Sequence, residues 1–199
     1  MHLLILTAPE FLPNEAEVLT QLFDHGLYRL HLRKPGCAER QLEQLIQQIP
    51  SACYPRISLH DHFDLQARYR LGGIHLNRRN PHTPAHFQGI ISRSCHTLEE
   101  AAHYGPRTDY FFLSPIFDSI SKQGYRAGFS EQQLRQAADK GIINAKTIAL
   151  GGVSADKLPY LASLGFGGAA FLGDIWQNYH TAADTPYVVN HFLTLINAL

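Results

Sequence analysis

Short apolar runs alternate with longer amphipathic stretches along the whole of this 199-residue chain. The runs fall at residues 2–7, 28–33, 56–59, 73–76, 89–92, 110–113, 147–150 and 168–172. Each is almost continuously apolar, as expected of a strand buried on both faces, rather than alternating as a half-solvated strand would be. The stretches between them carry helical spacing. Residues 15–24 set Val18, Leu19 and Leu22 on one face, and residues 39–49 set Leu42, Leu45, Ile46 and Ile49 on one face. Further helices are expected at 63–69, 98–104, 131–140, 155–164 and 186–199. Ser130 reads as an N-cap, Gly165 as a helix stop, and Thr97 with Glu100 as a capping box. The fourth connection, 78–88, holds Pro81 and Pro84 and reads as a loop or a single turn.

Strand–crossover units repeated to the end of the chain close into a (β/α)8 TIM barrel or spread into a doubly wound open sheet. No G-x-G-x-x-G follows the first strand, and the repeat is regular. Both points favour a single TIM-barrel domain over residues 1–199. Lys plus Arg equals Asp plus Glu at 17 each, which argues against a nucleic-acid partner. Cys37, Cys53 and Cys95 form no C-x-x-C pair and read as free thiols of a reducing compartment. The N-terminal apolar run, residues 3–6, is too short for a signal peptide or a membrane span. These features lead to the expectation of a cytoplasmic protein without membrane contact.

A barrel of this kind carries its chemistry at the C-terminal ends of the strands. After the second strand, alternation points His31 and Arg33 to one side, and a buried Arg33 guanidinium calls for a phosphate or a carboxylate. After the third stands His60-Asp61-His62. Asp61 suits a magnesium ligand or the N-cap of the next helix. Zinc on the two histidines is disfavoured, because no Cys or Glu completes a set. Ser94 and His96 mark the end of the fifth strand. The long polar stretch after the sixth strand, with Ser119, Ser121 and Lys122, suits a lid over an anion. Gly151-Gly152 after the seventh strand and Gly168 to Gly173 at the eighth suit a phosphate cup, with Asp174 capping a short helix.

These residues, in this order, resemble the thiamine phosphate synthase superfamily, which includes the thiazole tautomerases. The match runs from about residue 4 to residue 176. Its most specific pieces are Leu32-Arg33, Asp61, Gly73-Ile74-His75, the run Ser94 to Ala101, Asp109-Tyr110, Pro115-Ile116-Phe117 with Lys122, Gly151-Gly152-Val153 and Gly168 to Ile175. The resemblance implies a TIM barrel that joins hydroxymethylpyrimidine diphosphate to thiazole phosphate and releases pyrophosphate, using Mg2+. It implies that Arg33 and Lys122 hold the diphosphate, with Ser94 lining the site. Asp61 would be one magnesium ligand. Ser119 and Ser121 stand at two threonines that contact the thiazole phosphate, and Gly152 with the backbone of Leu172 and Gly173 forms the phosphate cup.

The chain departs from the pattern on the diphosphate side. His31 stands for a glutamine, Pro35 for a lysine and His60 for an asparagine. Asn80 stands for the second magnesium aspartate, with Arg78 and Arg79 beside it as a pair that could neutralise the diphosphate in place of the metal, and Lys34 replaces the lost lysine only if it turns inward. Pro115 is the synthase-like residue where tautomerases carry histidine. The expected function is a synthase-type transferase on small phosphate substrates. The alternatives are a tautomerase-type isomerase using His31, His60 or His96, and a non-catalytic barrel that binds thiazole or thiamine phosphate. The apolar C-terminal helix and Trp176 either close the barrel or form a homodimer interface.

Overall fold

The computed structural model describes residues 1–118 and 127–199. Eight parallel strands close in chain order into a barrel. They are β1 (His2–Leu6), β2 (Arg29–Leu32), β3 (Ile57–Leu59), β4 (Gly73–Leu76), β5 (Ile90–Cys95), β6 (Tyr110–Leu113), β7 (Thr147–Leu150) and β8 (Gly168–Phe171). The open-sheet alternative is thereby excluded. The helices are α1 (Glu15–Asp24), α2 (Glu39–Gln48), α3 (Asp64–Tyr69), α4 (Leu98–Tyr104), α5 (Glu131–Asp139), α6 (Leu158–Ser163), α7 (Gly173–Trp176) and α8 (Thr185–Asn197). The connection from β4 to β5, with its two prolines, carries no helix.

The apolar runs become strands because each has a helix layer outside it and the barrel interior inside it. The outer layer is the larger core, formed by residues such as Ile5, Leu30, Leu32, Leu59, Phe111 and Ala149 against Leu19, Leu22, Leu45, Leu161 and Phe192 of the helices. The inner core is small: Leu4, Leu6, Phe112, Ile148 and Ala170. It fills only the part of the interior bounded by β1, β6, β7 and β8.

Local signals act as expected at several helix ends. Ser130 accepts from Gln133 N and Gln133 Oε1 returns to Ser130 N, a complete capping box on α5. Gly165 follows α6 at φ +84°, and Gly165 N and Phe166 N close back on Ala162 O and Leu161 O. The expected box on α4 is modified. Thr97 Oγ1 accepts from Glu100 N, but the Glu100 carboxylate accepts from His96 N, one residue before the cap.

Other expectations need correction. Asp61 caps nothing: α3 begins three residues later with no side-chain cap. Asp174 does not cap α7 either, and its carboxylate bonds His191 of α8 at 2.6 Å. Trp176 donates Nε1–H to Leu6 O at 2.7 Å and is buried, so it closes the barrel rather than waiting for a partner. β5 runs three residues beyond the expected end because its inward residues are serines. Among the described residues, no helix is long and apolar enough to cross a membrane.

Candidate functional site

The rest of the barrel interior is polar. Inward positions on β2 to β6 carry Arg29, His31, Ser58, His60, His75, Ser92, Ser94 and Tyr110, in three hydrogen-bonded groups. Arg29 Nη1 donates to Ser58 Oγ at 3.2 Å near the floor. Tyr110 Oη lies 2.8 Å from His31 Nε2, and His31 Nδ1 lies 2.9 Å from His60 Nε2. His75 bridges two serines, Nδ1 to Ser92 Oγ and Nε2 to Ser94 Oγ, both at 2.8 Å. Ser92 donates its proton to Ile74 O, so it accepts from His75 Nδ1–H. Neutral His75 Nε2 therefore accepts from the Ser94 hydroxyl, which leaves the Ser94 lone pairs available toward the mouth.

Burial holds all three imidazoles neutral. It pushes His75 down to about 3, helped by Arg33, Arg93 and His96. It also pushes His31 and His60 well below the ordinary histidine value, helped in both by His75. The nitrogens of His31, His60 and His75 lie close enough together to suggest a metal. The donor geometry does not suit one. His60 and His75 stack at 4.2 Å and 21°, so their in-plane lone pairs run side by side, and both nitrogens of His31 and of His75 already have partners. His62 is turned away at φ +54° and meets Cys37 O, so His60 and His62 do not converge.

Above this network lies a cavity of about 290 Å³, within the reach of a small ligand. Arg33, Arg78 and Arg79 line one side, Leu6, Phe112, Leu150 and Leu172 the other, and His60, Ser94 and His96 stand between them. Arg33 is half-buried and has no carboxylate partner among the described residues. Burial, and Arg79 after it, lower its pKa, while Asp61 acts the other way. His31 is fully buried and lies behind His60 rather than on the wall.

Lys34 does not turn into the mouth. Its ammonium is fully buried and donates to Glu15 Oε1 and Oε2 at 2.6 and 2.7 Å and to the carbonyls of Ala8 and Glu10. It pins the loop after β1 and leaves the position of the lost lysine, Pro35, without a substitute.

The expected magnesium ligands are brought together, but their donors are engaged. Asp61 Oδ1 accepts from Arg79 Nε at 3.1 Å and Asn80 Nδ2 at 2.8 Å, and Oδ2 accepts from Arg79 Nη2 at 2.9 Å. Asn80 thus presents its amide N–H, not its oxygen, to Asp61, and also donates to His60 O at 2.9 Å. One carboxylate bound to a guanidinium and one amide turned as a donor do not fit a hard divalent cation.

On the cup side, Gly151 and Gly152 take φ +94° and +64°, which a side chain disfavours. A Cβ on Gly152 would collide with Asp118 O and approach Phe117, so the glycine admits the loop after β6. Leu172 and Gly173 open α7, whose first N–H groups have no partner within the helix. Ser119, Ser121 and Lys122 lie outside the described residues.

The family described as thiamine monophosphate synthase matches residues 3–175. The chain belongs to this family. Within it, a thiamine-phosphate synthase of Actinobacillus succinogenes is 27% identical over 89% of this chain and 87% of its own length. The crystal structure of a thiamine phosphate pyrophosphorylase from Bacteroides thetaiotaomicron superposes with a TM-score of 0.91 at 38% identity, covering 100% of this chain and 97% of that one. The Pyrococcus furiosus thiamine phosphate pyrophosphorylase, at 18% identity and a TM-score of 0.76 over 100% of this chain and 96% of that one, shares the fold.

Sequence reasoning singled out Arg33, His60, Asp61, Asn80 and Ser94 of the thiamine monophosphate synthase pattern, and the structure groups them at the mouth. It gave no site role to His75 and Asn77, and it set Arg78 and Arg79 beside Asn80 as a pair to neutralise the diphosphate in place of the metal. His75 was within reach, since alternation along Gly73-Ile74-His75 puts it in the same interior as His31. The Arg79 fork on Asp61 had no local signal, because the two lie 18 residues apart.

Proposed function

We propose that the chain is a transferase of the thiamine phosphate synthase type, joining hydroxymethylpyrimidine diphosphate to thiazole phosphate. The observation that carries this reading is a single cavity with three guanidinium groups on one side and four apolar side chains on the other, in a barrel of this family. An anionic leaving group suits the first side and flat heteroaromatic rings the second.

In the reaction the bond from the pyrimidine methylene carbon to the diphosphate oxygen breaks, and the electron pair leaves with pyrophosphate. The thiazole nitrogen lone pair then forms the new carbon–nitrogen bond, giving a thiazolium. No redox partner is needed. Arg33, with Arg78 and Arg79, stabilises the departing charge. Ser94 and neutral His60 present polar atoms to the pyrimidine, with His31 fixing the His60 ring from behind. Leu6, Phe112, Leu150 and Leu172 exclude water from the cation. The backbone at Gly152, Leu172 and Gly173 holds the thiazole phosphate. Ser119, Ser121 and Lys122 complete that grip from the loop after β6, as the family pattern implies. Magnesium at Asp61 and Asn80 supplies no step here, because the donors it needs are engaged.

An isomerase reading draws on His31, His60 or His96 as the base. His31 is not on the wall, and a strongly depressed pKa makes His60 a weak base. Incubation of the protein with both substrates decides. Thiamine phosphate and pyrophosphate are expected in equal amounts, and the Arg33→Ala variant is expected to lose at least about a hundredfold in kcat/KM, the cost of removing a charge stabiliser. No product from the wild type at high enzyme concentration overturns the transferase reading. Aromatisation of a thiazole carboxylate phosphate tautomer in its place would establish the isomerase, and binding without turnover a carrier.

A further inference from the structure

We propose that Arg79 is the built-in counter-cation of this mouth, standing where a divalent metal would otherwise sit on Asp61, and that the site therefore binds pyrophosphate without a metal. This rests on the transferase reading only for the identity of the anion.

The geometry is that of an occupied cation site. The guanidinium of Arg79 grips both oxygens of Asp61, the carboxylate a hard cation would need. Asn80 fills the remaining lobe of Oδ1. A metal that takes Oδ1 must expel both, and on Oδ2 it meets the Arg79 guanidinium.

The segment that carries Arg79 is also held in place. Asn77 Oδ1 accepts from Arg79 N at 2.9 Å and from Asn80 N at 3.2 Å, and Asn77 N donates to Asn80 O at 3.1 Å. The amides of Asn77 and Asn80 both donate to His60 O at 2.9 Å, which ties this turn to the end of β3. Arg79 thus stands on a turn fixed by five hydrogen bonds, and its position costs little ordering when an anion arrives.

Charge agrees with the assignment. Arg33, Arg78 and Arg79 against Asp61 give 3 − 1 = +2 among the described residues of the mouth. A guanidinium bound to a carboxylate keeps N–H donors on its other edge, and its planar fork suits phosphate oxygens. A pyrophosphate that replaces no metal can meet Arg33 and Arg78 directly and Arg79 on its free edge.

The test is calorimetric binding of inorganic pyrophosphate to the full chain, in EDTA and again with Mg2+. The expected result is binding in both, with dissociation constants within about threefold of each other. Arg79→Ala is expected to weaken binding in EDTA about tenfold or more, as loss of a charge-assisted contact does. The double variant Arg79→Ala with Asn80→Asp frees Asp61 and adds a second carboxylate, so its binding is expected to become Mg2+-dependent. Unchanged thermal unfolding of the variants, whose Arg79 side chain is about half exposed (47%), separates a binding loss from misfolding. If wild-type binding needs Mg2+, or if Arg79→Ala binds as tightly as wild type in EDTA, the proposal is overturned while the transferase reading stands. Absence of pyrophosphate binding in both conditions overturns the two together.

Discussion

Lys34 and His75 are both buried polar residues, and they do different work. Lys34 is a support. Its buried ammonium, fully matched by Glu15 and two carbonyls, has no free donor for a substrate. Lys34→Met leaves the Glu15 carboxylate buried without its cation, and a loss of about 3–5 kcal/mol in unfolding free energy by urea denaturation is expected. A loss below about 1 kcal/mol would show that Glu15 simply protonates or reaches water.

His75, like His31 and His60, is neutral in the folded protein because burial lowers its pKa. An unfolded histidine titrates near its ordinary value, so the unfolded chain binds more protons below that pH. Stability is therefore fully present above about pH 6.5 and falls as the pH drops toward the folded values, about 3 for His75, by up to about 1.4 kcal/mol per pH unit for each histidine. Denaturation midpoints measured from pH 7 to 4.5 should show this slope, and His75→Gln should flatten it. A flat profile in the wild type would mean that the cluster is protonated or solvated.

At the scale of elements, β5 and the turn at 77–80 make the site, and both are places where hydrophobic pattern fails as a guide. An apolar run marks a strand only while both faces are apolar. β5 turns Ser92 and Ser94 inward, to His75, so the pattern stops at residue 92 while the strand continues to Cys95. The eight-fold alternation, the capping box of Ser130, the stop at Gly165 and the missing helix before β5 were legible because each rests on local chemistry. The hold of Arg79 on Asp61 was not, since it is a contact between two strand ends that only the closed barrel brings together. The loop after β7 is the third such element. Gly152→Ala puts a Cβ at positive φ against Asp118 O. The expected cost is about 1–3 kcal/mol in stability, seen as a lower thermal midpoint together with weaker thiazole-phosphate binding. Unchanged stability would place the loop after β6 elsewhere in solution.

At the scale of the whole molecule the barrel is divided lengthwise. The inner core of Leu4, Leu6, Phe112, Ile148 and Ala170 fills one side. On the other, polar side chains rise from the Arg29–Ser58 pair through the hydrogen-bonded Tyr110, His31 and His60 to the arginines of the mouth. The polar strand residues gather on that side and lead to the cavity, where a charge-separating group transfer needs them. On the proposed function, this cavity performs that transfer. The most direct measurement is a single turnover, with enzyme in excess over hydroxymethylpyrimidine diphosphate and thiazole phosphate, quenched in time and analysed for both products. Thiamine phosphate and pyrophosphate are expected to rise together, one for one, to the amount of the limiting substrate. Complete recovery of both substrates after long incubation with folded enzyme would contradict it.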